Sequence, residues 1–182
     1  MKLINNNYDE DSAVKRLAEL IALEHGVSPG VAKRIRIAAS LHDIGKRSIP
    51  DEILNKPGKL TERERDIMKT HTVLGAEMLK SIQGELGEMA RACCRWHHEW
   101  YNGGGYWGRR TEELPFYLPY ISISDVFTAL VSERVYKAAW PPAEAMSYIQ
   151  SMAGTQFSPE LTAIFLRLIQ NDSRVAAIFN TL

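Results

Sequence analysis

Apolar residues recur at three- and four-residue intervals along most of this chain. Val14, Leu17, Ala18, Ile21 and Ala22 fall on one stripe of a helix. Gly26 ends that pattern, Ser28 stands at a capping position, and Pro29 suits the first turn of the next helix. A second stripe through Val31, Ile35, Ala38, Ala39 and Leu41 leads to His42-Asp43. Lys56-Pro57-Gly58 signals a turn, and Thr61-Glu62-Arg63-Glu64 spells a capping box. The helix it opens carries Ile67, Met68 and His71 and is expected to bend or end near Gly75. Gly84 and Gly87 interrupt the pattern. A helix is then predicted from Met89 to Trp100, ending in His97-His98, before the Gly103-Gly104-Gly105 loop. Helical spacing resumes at Pro119 and runs through Asp125 and Leu130 to Tyr136. Pro142 to Met152, Pro159 to Gln170 and a short Arg174 to Leu182 complete the series. No stretch alternates cleanly for more than about four residues, and there is neither a βαβ rhythm nor an internal repeat. The expected fold is an all-α bundle.

A chain of 182 residues, 45% hydrophobic, suits one domain, or one domain with an extension, around a real core. Lys+Arg and Asp+Glu number 22 each, so the formal net charge is zero. That argues against the broad basic surface of a DNA-binding protein and leaves room for a local basic pocket. Cys93 and Cys94 are adjacent, where a disulfide would be strained, and no CxxC spacing occurs. They read as reduced thiols in a reducing compartment. The first residues lack the apolar core of a signal peptide, and no apolar run reaches the roughly 18 residues of a membrane span. The chain is expected to be cytoplasmic, with no membrane partner.

Candidate chemistry enters with the histidines. Four of five fall in three short clusters, His42-Asp43, His71 and His97-His98, followed by Asp125. Each lies within an apolar, helix-like segment, where an unpaired polar group is costly to bury. A divalent metal would relieve that cost. Adjacent His-Asp on a helix would splay about 100° apart, so both could serve one centre or two neighbouring ones. A nitrogen and oxygen ligand set without thiolate suits iron, manganese or zinc better than copper(I). Two metals about 3.5–4 Å apart would suit phosphoester hydrolysis. A lone histidine is more often a hydrogen-bonded core residue, and His25, beside Gly26, reads as a C-terminal cap on the helix dipole. Lys46 lies one helical turn past His42, where its ammonium could neutralise a phosphate or merely face a helix end. Arg134 and Lys137 would share a side of the Asp125 helix, as phosphate ligands or as a solvated end.

The series His42-Asp43-Ile44-Gly45-Lys46, Ile49 to Leu60, Met68-Lys69-Thr70-His71, His97-His98-Glu99, Gly105-Tyr106, Asp125-Val126-Phe127 and Ser132 to Lys137 resembles the HD superfamily of metal-dependent phosphohydrolases. Within it, the likeness is to the HD-GYP group. The resemblance implies a single domain over residues 1–182, with its core at about 10–170, folded as an HD-domain helical bundle around a buried metal centre. It implies hydrolysis of cyclic di-GMP to pGpG, and in some members to GMP. The metal ligands it implies are His42, Asp43, His71, His97, His98 and Asp125. Asp43 and Lys46 would be catalytic, and Lys46, Tyr106, Arg134 and Lys137 would contact substrate. The family usually holds iron or manganese, with zinc, nickel and magnesium as other candidates. Its partners would be a sensor or receiver domain, or a diguanylate cyclase meeting the Tyr106 loop.

Two departures stand out. The family writes Asp-Gly-x-Gly-Tyr-Pro where this chain has Asn102-Gly103-Gly104-Gly105-Tyr106-Trp107. Without proline's fixed φ the loop is expected to be looser, with Trp107 packing on Trp100 or stacking on a guanine. Glu10 stands where the family usually has a histidine, and Asn6 where trinuclear members have a glutamate. Glu10 can still ligate, with Asp9 as an alternative, but Asn6 is a poor ligand, so two metals are expected and a third site is doubtful. These departures keep open a catalytically weak or inactive nucleotide-binding module, whereas the Gly-Tyr loop and the Arg134/Lys137 pair argue against an HD hydrolase for another substrate, such as a nucleotide monophosphate or a different cyclic dinucleotide.

Overall fold

The computed structural model describes residues 5–133 and 138–179. Among them are ten α-helices, and the only β pairing is an isolated bridge between Ala153 and Phe157. The helices are α1 (Asn5–Glu24), α2 (Pro29–Ala39), α3 (Asp51–Leu54), α4 (Glu62–Lys69), α5 (His71–Met78), α6 (Gly84–Trp96), α7 (Leu118–Val131), α8 (Pro142–Ser151), α9 (Pro159–Asn171) and α10 (Ser173–Phe179). A 3₁₀ turn, Ile44–Ser48, joins α2 to α3. The α1 stripe predicted from the sequence is the centre of the core. Leu17 and Ile21 are fully buried, and α1 packs on α2, α7, α9 and α10. Phe127 of α7 meets Phe165 of α9 edge-on at 5.1 Å. No helix among the described residues is long and apolar enough to cross a membrane.

Local signals held where they were local. Thr61 Oγ1 accepts from the Glu64 amide at 3.3 Å and Glu64 Oε2 accepts from the Thr61 amide at 2.8 Å, a complete capping box. Ser28 occupies the N-cap of α2, yet its side chain makes no capping bond.

Several helix boundaries differ from expectation; α6, for one, ends at Trp96 rather than Trp100. The helix before His71 ends at Thr70 rather than near Gly75, and Thr70 Oγ1 donates to the Ile67 carbonyl at 2.6 Å. Gly75 is inside α5, where a Cβ would come within 3.1 Å of the Gly45 amide and 3.2 Å of Cys94 Sγ. Helix α6 begins at Gly84, not Met89, and Gly87 lies within it against the Ile82 carbonyl. Helix α7 stops at Val131, because Ser132 is extended (φ −90°, ψ 141°). The expectation of one helix carrying Asp125, Arg134 and Lys137 is therefore not met, and Arg134 and Lys137, like Tyr136, lie outside the described residues.

Candidate metal centre

The clustered histidines sit at helix ends rather than on helix bodies. Helix α2 closes at Ala39, and His42-Asp43 occupy the turn before the 3₁₀ segment, so they do not splay from one helix as expected. His71 opens α5, and His97 caps the C-terminus of α6 with His98 just beyond. Asp125 alone lies mid-helix, on α7. Helix ends leave carbonyls without intrahelical partners, and the imidazoles use carbonyls there. His42 Nδ1 lies 2.7 Å from the Ala39 oxygen, His71 Nδ1 2.7 Å from Met68, and His97 Nδ1 2.8 Å from Cys93. A carbonyl can only accept, so each Nδ1 carries a hydrogen, and in the neutral ring each Nε2 keeps its lone pair turned inward.

Those lone pairs meet carboxylates. His42 Nε2 is 3.4 Å from Asp43 Oδ2 and 3.6 Å from Asp125 Oδ1. His71 and His97 Nε2 lie 3.3 and 3.6 Å from Asp43 Oδ1, and 3.4 Å from each other. His42 Nε2 and Asp43 Oδ1 are buried with no hydrogen-bond partner. Apart from the Lys46 ammonium on Asp43, the atoms that face one another here are imidazole nitrogens and carboxylate oxygens, a set that a shared cation, a proton on His42 or a metal ion, draws together. Two overlapping ligand sets, Asp43/His71/His97/His98 and His42/His97/Asp125, each have ligand atoms within 4.8 Å of one another. The residues fit a divalent metal in donor type, burial and convergence.

The electrostatics favour a charged His42 between the acids and neutral rings at His97 and His98. Burial disfavours charge on His42, but the carboxylates of Asp43 and Asp125 outweigh it and hold its pKa well above the usual range. Burial also works against ionised Asp43, yet Lys46 and His42 keep it well below the ordinary carboxylate value, and His42 does the same for Asp125. His97 and His98 are pushed down, chiefly by burial, which favours the neutral rings a metal requires. Burial raises both thiols, Cys94 to about 12, and neither cysteine belongs to the two ligand sets.

Lys46, in the 3₁₀ turn, reaches back to pair its ammonium with Asp43. The Tyr106 ring lies 4.4 Å from His98, tilted by 32°, and Lys69 stands 5.7 Å from its centroid. Burial raises the Tyr106 phenol, keeping it protonated. Glu10 falls in α1, among the residues whose side chains are not described, so its part in the cluster is untouched by this geometry. His25 stands at the C-terminal end of α1, its main-chain N–H donating to the Ile21 carbonyl at 2.9 Å, and its ring has two side-chain neighbours besides. Its Nδ1 is 2.9 Å from the Tyr120 hydroxyl and its Nε2 3.6 Å from Glu160.

Sequence reasoning gave no role to Glu99. Its buried carboxylate accepts from the amides of Trp107 (2.7 Å) and Arg109 (2.8 Å) and ties the loop down. The only signal was an acid following two histidines, which does not reveal amide partners eight and ten residues on. The expected looser loop is therefore corrected. Trp107 also packs away from Trp100, its indole donating to Thr72 Oγ1 at 3.2 Å under the Arg95 guanidinium.

Residues 2–161 match the HD domain family. The cyclic di-GMP phosphodiesterase response regulator RpfG of Xanthomonas campestris is 37% identical over 169 residues, covering 92% of this chain and 45% of that protein. The 3'3'-cGAMP-specific phosphodiesterase 2 of Vibrio cholerae is 36% identical over 157 residues, covering 84% and 30%. The chain thus spans less than half the length of either relative. A solved HDG"Y"P protein from Bdellovibrio bacteriovorus superposes with a TM-score of 0.71 at 17% identity, over 89% of this chain and 52% of that one. With the helical bundle, the His-Asp turn and the double histidine in place, the chain belongs to the HD domain family and to its HD-GYP group, in a form with a divergent Gly-Tyr-Pro loop.

Proposed function

We propose that this chain is a metal-dependent phosphodiesterase that opens cyclic di-GMP to the linear dinucleotide pGpG, with cleavage on to GMP open to the same site. One observation carries the reading: imidazole nitrogens and carboxylates from distant segments converge in two overlapping sets whose ligand atoms lie within 4.8 Å of one another, with His42 Nε2 and Asp43 Oδ1 buried and unpartnered. We assign the ligand role to His42, Asp43, His71, His97, His98 and Asp125, with Glu10 as a further carboxylate from α1. The overlapping sets, which share His97, support two ions, and iron or manganese suits the thiolate-free donors. Bound there, the ions supply Lewis acidity to a phosphoryl group and activation of water.

The chain's own groups do the rest. Asp43, held ionised by Lys46 and His42, keeps an acceptor oxygen facing the centre. Lys46 sits where its ammonium can exchange Asp43 for a phosphate oxygen and offset developing charge. Tyr106 offers a protonated hydroxyl beside Lys46. Arg134 and Lys137, which follow α7 in sequence, are assigned to the dinucleotide's other phosphate or its guanine. We take residues 1–182 as one domain, regulated by a sensor or receiver unit or by a cyclase partner. Co-purification of such a unit that alters turnover would test this.

Purified protein supplied anaerobically with iron(II) or manganese(II) should convert cyclic di-GMP to pGpG, resolved by chromatography. His42→Ala and Asp43→Ala should abolish the conversion. Wild-type protein that binds metal and dinucleotide yet releases no pGpG would replace this reading with a catalytically inactive binding module. The cGAMP-specific relative supports a second substrate reading. Side-by-side kcat/KM values for cyclic di-GMP and 3'3'-cGAMP decide between them.

A further inference from the structure

Trp107 stands where the Gly-Tyr-Pro form of the loop carries proline, and three contacts hold it. Its main-chain N–H donates to Glu99 Oε1 at 2.7 Å, its indole N–H donates to Thr72 Oγ1 at 3.2 Å, and Arg95 lies over its ring at 4.9 Å. The other Glu99 oxygen accepts from the Arg109 amide at 2.8 Å. Glu99 is only 4% exposed, so its carboxylate depends on those two amides for solvation. The clamp brackets the residue that faces the metal centre. Tyr106, immediately before Trp107, donates its own N–H to the His98 carbonyl at 3.4 Å and lays its ring on the His98 imidazole. Gly105 permits this approach, since a Cβ there would come within 2.5 Å of the His98 oxygen and the Glu99 Cα.

We infer that Trp107 is a positioning residue whose main-chain N–H, received by Glu99, fixes Tyr106 against His98. Proline holds such a turn by ring closure but has no N–H to give. In this chain the hydrogen bond replaces the ring, and the two solutions are not interchangeable. Restoring the proline leaves Glu99 buried with half its donors gone, and so loosens the loop rather than tightening it.

The consequence for turnover rests on the phosphodiesterase reading, but the consequence for the loop does not. The experiment compares wild type, Trp107→Phe and Trp107→Pro. Amide hydrogen exchange across residues 103–110 is followed without added metal, and kcat and KM for cyclic di-GMP are measured with manganese(II). Phe keeps the N–H and an aromatic ring, and should retain both protection and kcat. Pro should speed exchange in the segment and lower kcat roughly tenfold with bound manganese unchanged, as expected for a misplaced active-site group. If Trp107→Pro does not fold, Glu99→Gln serves instead, and the same faster exchange is expected. Wild-type protection in Trp107→Pro or in Glu99→Gln overturns the inference, as does Trp107→Phe loosening as much as Trp107→Pro. Wild-type protein without turnover overturns the phosphodiesterase reading and leaves the exchange comparison to decide the clamp.

Discussion

Three of the four imidazoles at the centre are aimed by an atom of the main chain. Carbonyls at or near the ends of α2, α4 and α6 hold the Nδ1 hydrogens of His42, His71 and His97, so the helix ends set the tautomer that a metal needs. Gly45 brings two of these ends together. A Cβ there would strike the His71 carbonyl and come within 2.5 Å of the Gly75 amide nitrogen, both backbone atoms with little freedom to yield. Gly45→Ala should therefore separate the His-Asp turn from α5. The expected cost is about 3 kcal/mol, the upper part of the overpacking range. Chemical denaturation should show that loss, and elemental analysis of the folded fraction should show reduced metal content. An unchanged midpoint and full metal loading would mean that the two backbones are not in tight contact.

Among the elements, α4 shows how a local motif serves the site. Its Thr61–Glu64 box is joined by Lys56, whose ammonium lies 2.6 and 2.8 Å from the Glu64 oxygens. Lys56 first, then the Thr61 amide, lowers the Glu64 carboxyl from 4.5 to about 2. A depressed folded pKa stabilises the fold above the unfolded value, and the benefit fades as pH drops toward the folded value. The stability advantage of wild type over Glu64→Gln should hold near neutrality and shrink between pH 4.5 and about 2, as read from paired urea melts. A difference independent of pH would assign the cap to hydrogen bonding without charge. This motif was legible because its spacing is short and its partners are one turn apart. The break at Thr70 was not legible, because Gly75 looks like a helix breaker until Gly45 and Cys94 are seen pressed against it. Glu99 was hidden for a related reason, since its amide partners lie in an irregular loop with no period to read.

At the scale of the whole molecule, the cluster draws together segments far apart in sequence: the turn after α2, the start of α5, the end of α6 and the middle of α7. The order of the ligands could be read from residue types alone, because buried imidazoles and acids in apolar segments have few other uses. Their convergence depends on α1, which packs on both α2 and α7. The cost of burying polar atoms opposes that convergence, since His42 Nε2 and Asp43 Oδ1 are buried without a hydrogen-bond partner. A cation that binds only the assembled site should then act as a cross-link. Saturation at 100 times the dissociation constant stabilises the folded chain by about 2.7 kcal/mol. Manganese(II) should accordingly raise the melting temperature of the wild-type chain in a concentration-dependent way, and a chelator should reverse the rise. Asp43→Ala should melt at a temperature indifferent to the metal, because Asp43 lies within ion-pair distance of His42, His71 and His97 alike. If that variant kept the full shift, the ions would be binding elsewhere, and the long-range segments would owe their convergence to apolar packing alone.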